Sequence, residues 1–156
     1  MQFQKLNREE GEDVFIVCRN VSGATLSAGA AVYFEGSTPD GNAVSGARTG
    51  KAFLFAGILE AEKANSSYGR VQVYGVASAY VQMSSSAISV AIGDQLNAVT
   101  SQTYLKPYVA SDVFTAVSSA VWSGGNPWNF VTLLEGHDST AAGSTPALHK
   151  VFVRAM

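Results

Sequence analysis

VQVYGVASAYVQM, residues Val71–Met83, is the most regular stretch of this 156-residue chain. Apolar residues, most of them small, occupy every second position from Val71 onward, and the positions between them are mainly polar or aromatic. Because successive side chains of a β-strand point to opposite faces, this period of two predicts one long strand with a buried face and a polar, aromatic face.

Shorter strand signals lie on both sides of this stretch. Val14–Asn20 (VFIVCRN) is an apolar segment followed by a turn at residues 21–24, and Ala30–Phe34 is a second apolar segment. Residues 38–42 (TPDGN) and 66–69 (SSYG) have the composition of turns. Six further strands are predicted, at Phe53–Leu59, Ile88–Ile92, Tyr104–Val109, Val113–Trp122, Trp128–Leu134 and Lys150–Arg154.

The spacing of these signals predicts the fold class. Turns recur at roughly 8–15 residues, which is typical of β-sandwiches and barrels. No long segment has the 3.6-residue period of an amphipathic helix, and Leu59–Ala64 is the one weak helical candidate, about one turn long. We therefore predict an all-β fold, a single β-sandwich or barrel of jelly-roll-like or related type, over residues 14–156.

The first thirteen residues differ from the rest of the chain in their charge. Between Val71 and Leu134 only Asp94, Lys106 and Asp112 are charged. The first thirteen positions, in contrast, hold six charges: Lys5, Arg8, Glu9, Glu10, Glu12 and Asp13. This distribution predicts an extended N-terminal arm over residues 1–13, joined to a charge-poor body.

The overall composition indicates surfaces that are covered by other protein chains. Charged residues make up 14% of the chain and hydrophobic residues 47%, whereas soluble domains carry about 25% charged residues. The formal net charge of −2 implies no basic surface, so we expect neither a nucleic acid nor a membrane as a partner. No apolar run approaches the roughly 20 residues of a membrane helix.

The N-terminal part of the sequence indicates the compartment of synthesis and contains the single cysteine. Met1–Asp13 is polar and lacks the apolar core of a signal peptide, so we expect synthesis in a cytoplasm. Cys18 is the single cysteine, which excludes an intramolecular disulfide. Because it lies in an apolar run, Cys18 is predicted to be a core residue.

The residue types that carry catalysis are sparse. Asp138 and Ser139 directly follow His137, but neighbours in a loop cannot face one another as a catalytic triad does. The other histidine, His149, adjoins the last predicted strand, and Glu60 and Glu62 share one face of a strand, where a solvated edge is the ordinary interpretation. No zinc spacing, calcium loop or phosphate loop occurs. We expect no enzyme activity, no catalytic residue, no metal and no cofactor.

An aromatic loop, Trp122–Phe130 (WSGGNPWNF), holds both tryptophans of the chain around a Gly-Gly-Asn-Pro sequence. Aromatic rings carry a large apolar area, so a loop that exposes them commonly has a binding role. Three interpretations remain open: the tryptophans fold back onto the core, they contact a subunit or a capsid, or they stack on a sugar.

The order of several short motifs resembles the capsid cement, or head decoration, proteins of tailed bacteriophages. Val14–Ile16 leads into an Asn-x-Ser-Gly turn at residues 20–23, and Leu26–Gly29 gives the Leu-x-Ala-Gly that precedes the next strand. Phe55–Ile58 is similar to the family's step that ends in Gly-Val or Gly-Ile. Gly69–Gly75 and Gly93–Leu96 are similar to its Gly-x-Val-x-Val-x-Gly strand and its Gly-Asp-x-Leu turn.

This resemblance covers roughly residues 14–100 and implies a structural function in the virion. It implies a β-rich body without catalytic residues, usually a homotrimer, on the outer capsid surface at local three-fold positions. The major capsid protein would be the partner, and the bound protein would stabilise the shell against the pressure of the packaged DNA. Synthesis would take place in the host cytoplasm.

The arm and the aromatic loop are the predicted contact regions for the capsid or a neighbouring subunit. In the arm, Phe3 and Leu6 are apolar anchors in a polar segment, flanked by Gln2, Lys5 and Arg8. In the loop, the predicted contacts are Trp122, Trp128 and Phe130.

The alternative function is that of a virion fibre, a knob or a carbohydrate-binding β module. Such a module would use Trp122, Trp128 and either Tyr74 or Tyr80 as stacking platforms for sugars. It would bind glycans and ignore capsids, and a cement protein would do the reverse.

Overall fold

The computed structural model describes residues 12–35, 41–46, 54–82, 91–98, 102–107, 131–135 and 145–155. Within these ranges the chain forms β-strands and no α-helix, which confirms the predicted all-β fold. The nine strands are β1 (Val14–Asn20), β2 (Ala31–Phe34), β3 (Ala43–Ser45), β4 (Phe55–Leu59), β5 (Tyr68–Val81), β6 (Gln95–Ala98), β7 (Leu105–Pro107), β8 (Val131–Leu133) and β9 (Ala147–Arg154).

The first half of β5 closes a five-stranded barrel in the order β1-β3-β2-β4-β5. β1 runs antiparallel to β5, from Val14 opposite Tyr74 to Arg19 opposite Tyr68. β3 lies parallel to the end of β1 and antiparallel to β2, and β4 joins β2 to β5. The predicted barrel is therefore present, with strand connections that the sequence did not specify.

The second half of β5 carries the remaining strands. β9 pairs with it antiparallel, from Tyr74 opposite Arg154 to Val81 opposite Ala147. From β9 the pairing continues through β8, β6 and β7, and it returns to β5 at Val81 opposite Leu105. These strands form a second closed ring, and the 14 residues of β5 are long enough to take part in both.

β5 follows the period of two that its sequence predicts. Val71, Val73, Ala77, Ala79 and Val81 are buried. Gly75 continues this buried series, and the residues on the other face from Gln72 to Tyr80 are exposed or half-buried, with the exception of Gln72. Both rings thus receive their apolar contribution from one face of the same strand.

Two apolar cores lie on opposite sides of β2 and β4. In β2, Val32 joins one core, whereas Ala31 and Tyr33 join the other. Both faces of β2 are therefore buried, which explains its continuous apolar sequence. The core enclosed by the first barrel consists of Cys18, Leu26, Ala30, Val32, Val44, Ala56, Leu59 and Val71. Cys18 is 2% exposed, as predicted for a core residue.

A β-bulge lets β4 supply both cores. The register between β2 and β4 shifts beside Gly57, whose φ is +145°. Any side chain at this position would meet the backbone carbonyl of Gln72 on β5. As a result, Phe55 and Ile58 pack into one core, and Ala56 and Leu59 pack into the other.

Two local predictions are wrong in the described part of the chain. Residues 91–94 form a turn, in which the Asp94 carboxylate accepts a hydrogen bond from the Ala91 N–H, so Ile92 is not in a strand and β6 begins at Gln95. Residues Leu59–Ala64 contain no helical turn, because Leu59 ends β4 and Lys63 pairs with Leu26. The predicted strand Val113–Trp122 lies outside the described residues.

Candidate functional site

The outer surface of the β5–β9 pair exposes apolar side chains that no described strand covers. The turn at Gly29 lies against one end of this surface, at Tyr80 and Leu148. In the pairing of the two strands, Val76 lies opposite Phe152 and Tyr80 lies opposite Leu148. Tyr74 packs edge-to-face on Phe152, with ring centroids 5.2 Å apart. The exposed fractions are 37% for Tyr74, 48% for Val76 and 53% for Leu148. We call these five residues the outer ribbon face.

Basic side chains flank this apolar surface. Lys150 and Arg154 alternate with Leu148 and Phe152 on the same face of β9. The Lys150 ammonium lies 3.9 Å from a carboxylate oxygen of Glu135, an exposed pair that contributes little to stability. None of the described β5 and β9 residues on this face is acidic. The face therefore offers apolar contact with positive charge beside it.

The N-terminal end of the described body is attached next to this face. Asp13 Oδ1 accepts hydrogen bonds from Gln72 Nε2 at 2.9 Å and from the Val76 N–H at 3.1 Å. The Gln72 amide also donates to the Val76 carbonyl at 3.1 Å and to the Tyr74 carbonyl at 3.3 Å. Gln72 is only 6% exposed, so these bonds satisfy a buried polar group. We call this arrangement of Asp13, Gln72 and Val76 the clasp.

Gly75 makes room for the clasp. Its φ is +108°, in the region that favours glycine. A Cβ at this position would overlap the Asp13 carboxylate and would meet the Glu12 carbonyl oxygen at 2.6 Å. The glycine that ends the Gly69–Gly75 motif is therefore required where residues 12 and 13 cross β5.

The contact residues predicted from the sequence lie outside the described residues: Phe3, Lys5, Leu6, Arg8, Trp122, Trp128 and Phe130. Tyr74 and Tyr80, the possible stacking residues of the alternative function, are on the outer ribbon face. Val76, Leu148 and Phe152 were not predicted as site residues. For Val76 the available signal was an apolar residue on the polar face of the period-2 stretch. Recognising the other two required the pairing of β5 with β9.

Glu60 and Glu62 lie between β4 and β5 and not on a strand, and Glu60 is engaged in an ion pair. Glu60 accepts two hydrogen bonds from the Arg70 guanidinium, of which Nε to Oε2 measures 2.6 Å. The Arg70 guanidinium carbon also lies 5.0 Å from the centre of the Phe15 ring. This arrangement is a surface ion pair that braces β5 against its neighbours.

The described residues show no group of three or more His, Cys, Asp or Glu side chains that could hold a metal ion. His149 is half-buried on β9, and His137 lies outside the described ranges. No helix in the described part of the chain is long and apolar enough to cross a membrane.

The sequence matches no protein-family model and no curated protein. The fold is similar to the crystal structure of the N base of head fiber gp8.5 in bacteriophage phi29, with a TM-score of 0.50. The alignment covers 91% of this chain and 94% of that chain, and 12% of the aligned residues are identical. At this identity the likeness shows a shared fold.

Proposed function

We propose that this protein is a structural component of a tailed-bacteriophage virion, which binds the outer surface of the icosahedral capsid and stabilises the shell. The observation that carries the proposal is the fold, whose likeness to a phage head fiber base extends over 91% of the chain. The motif order that resembles cement proteins points independently to the same part of a virion.

The backbone gives these motifs a structural reason. One glycine from each of five motifs has a positive φ. The backbone conformation therefore favours glycine at these positions, so their glycines are more than a feature of the composition. These glycines are Gly23, Gly29, Gly57, Gly75 and Gly93. The spacing on which the resemblance depends is thus tied to the turns and bulges of the fold, and this supports the resemblance.

The proposed mechanism requires binding surfaces and no catalytic reaction. A packaged genome pushes outward on its shell, and a protein that bridges neighbouring capsomers adds binding free energy at joints that would otherwise open. A homotrimer at a local three-fold position suits this task, because each subunit presents two different faces to its neighbours. The low charge of the chain favours such coverage. The partners are the major capsid protein and other copies of this chain, with no enzyme activity, nucleic acid or membrane.

The arm would supply capsid contacts through Phe3 and Leu6, with Lys5 and Arg8 beside them. Fixing an arm of this kind costs roughly 1–2 kcal/mol per residue in backbone entropy. Backbone pairing with a sheet edge and burial of the two apolar anchors would offset that cost. Trp122, Trp128 and Phe130 are the proposed second contact region.

A fibre base or a glycan-binding module is the second candidate. The similar solved structure is named as a head fiber base, and Tyr74, which is 37% exposed, offers an aromatic ring at the surface. A fibre base would still bind a capsid, whereas a receptor module would bind sugars through such rings.

The test is to add purified protein to capsids that lack it, and to measure bound copies by mass spectrometry and the temperature at which the shells release DNA. The proposal expects saturable binding and a higher release temperature. A glycan array is the parallel measurement. Binding to glycans without binding to capsids would contradict the cement function and favour the receptor module. Binding without any rise in release temperature would favour a fibre base.

A further inference from the structure

We propose that the outer ribbon face is the docking surface for this chain's own N-terminal segment, residues 1–11. The proposal concerns the protein free in solution, so it can be tested without a capsid and can fail while the proposed function holds. Three observations support it: where the segment joins the body, how far the segment can extend, and how the chemistry of the segment matches that of the face.

The segment joins the body at the outer ribbon face. The clasp holds Asp13 on the Val76 N–H, and Val76 is one of the exposed residues of the face. Eleven residues can extend about 36–40 Å. The six residue steps from Tyr74 to Tyr80 along β5 span only about 20 Å. The segment can therefore reach along the face without moving the clasp, as far as the turn at Gly29 that lies against Tyr80 and Leu148.

The chemistry of the segment complements that of the face. Phe3 and Leu6 are its large apolar side chains, which match an apolar surface. Glu9 and Glu10 lie four and three residues before Asp13 of the clasp. The basic residues of β9 lie within a few residues' length of the clasp, with Arg154 opposite Tyr74 and Lys150 opposite Ser78. Lys150 also has Glu135 as a neighbour, at 3.9 Å.

A second copy of the face is a poorer occupant. Packing two outer ribbon faces together would bring Lys150 and Arg154 of one copy near the same basic residues of the other. Like charges in a desolvated contact are unfavourable. In the N-terminal segment, Glu9 and Glu10 instead bring charge of the opposite sign to the part nearest the body. The tether also gives the segment a high effective concentration at its own face. While the segment is docked, Phe3 and Leu6 are shielded, so capsid binding by the arm requires it to leave the face.

The first experiment measures trypsin cleavage after Lys5 and Arg8 in the full-length protein. Val76→Glu removes apolar contact from the face and repels Glu9 and Glu10. Val17→Glu is the matched control, because Val17 is also an exposed strand valine, 59% exposed, but lies on β1 outside the face. Proteolysis follows the population of the open state, so a segment docked nine-tenths of the time should be cleaved about tenfold faster in Val76→Glu. The control should be cleaved at the wild-type rate.

The second experiment identifies the occupant. A spin label on Asn7→Cys, with the buried Cys18 left unreactive, should broaden the NMR signals of Val76, Leu148 and Phe152 in its own molecule. Mixing spin-labelled chains with separate isotope-labelled chains shows whether the effect passes between copies.

Broadening within one molecule, together with faster cleavage of Val76→Glu alone, is the expected result. Broadening only in the mixed sample would overturn the proposal in favour of a neighbour's segment. Equal cleavage rates and no broadening would overturn it outright. If Val76→Glu instead lowered the assembly mass without changing cleavage, the face would be a contact between copies.

Discussion

Gly75 is the residue at which the N-terminal end of the body crosses β5. Its positive φ and the Asp13 carboxylate beside it leave no room for a methyl group. Gly23 offers a matched comparison, because its φ is +83° and a Cβ there would meet nothing within 4 Å. Comparing alanine substitutions at Gly23 and Gly75 therefore separates the cost of the backbone conformation from the cost of overlap with Asp13.

We expect Gly23→Ala to lower the free energy of unfolding by about 1–2 kcal/mol, the cost of a left-handed conformation for an alanine. Gly75→Ala adds the overlap with Asp13 and should cost about 1–3 kcal/mol more. Urea denaturation measures both. Equal losses in the two variants would show that the clasp yields at little cost.

Gln72 is the buried polar residue of the clasp, and its amide contacts Asp13 and two backbone carbonyls. Gln72→Leu leaves these acceptors without their donor, so we expect a loss of about 1–3 kcal/mol in unfolding free energy. Gln95→Leu is the control, because Gln95 is half-buried and its amide contacts only the Thr132 hydroxyl among the described hydrogen bonds. A similar loss in both variants would argue against a special contribution from the clasp.

At the scale of elements, β5 and β9 together separate a core from an exposed surface. Leu133 on β8 is fully buried in the core that β9 covers. Leu148 on β9 is 53% exposed on the outer ribbon face. The same substitution at these two positions therefore tests the assignment of the two surfaces.

Leu133→Ala should lower the free energy of unfolding by about 2–5 kcal/mol, because it leaves a cavity in a closed core. Leu148→Ala should change it by less than about 1 kcal/mol. Thermal or urea denaturation of the two variants provides the comparison. A loss in Leu148→Ala as large as that in Leu133→Ala would mean that Leu148 lies in a closed core and not on a surface that a docked segment can reach.

The elements that could be predicted from the sequence are those with local signals. β1 was predicted with its observed bounds, and the period of two predicted most of β5, because alternation along one strand needs no knowledge of its partners. β3 has three residues, too few to show a period. A strand was predicted at Ile88–Ile92, in the apolar run that precedes β6. Only the turn at Asp94 reveals that the strand begins at Gln95.

The candidate site depended on information that is absent from local sequence. Val76 and Phe152 meet only because β5 pairs with β9, which lies at the other end of the chain. Asp13 and Gln72 meet through the β1–β5 register. Tyr74 and Tyr80 could be placed on an outer face from alternation alone, but their apolar neighbours could not.

At the scale of the whole molecule, the proposed trimer and arm make separable predictions. Native mass spectrometry at micromolar concentration should give a homotrimer.

Deletion of residues 2–11 keeps the clasp, so the trimer should persist while occupancy on capsids falls. Asn7→Ala, a small change within the arm, is the control and should leave both unchanged. Occupancy unaffected by the deletion would assign capsid binding to the body, and a monomer in all conditions would contradict the trimer.

The sharing of β5 between two rings has a consequence for how the chain reaches its native state. β5 pairs with β1, which is made long before it, and with β9, which is the last of the described strands. Proteins dominated by such distant pairings fold slowly, because loops must close before the contacts that stabilise them can form. The second ring cannot close until Ala147–Arg154 has been synthesised. Until then, half of β5 has no partner on the side that β9 will occupy, and the nascent chain is exposed to mispairing with its neighbours.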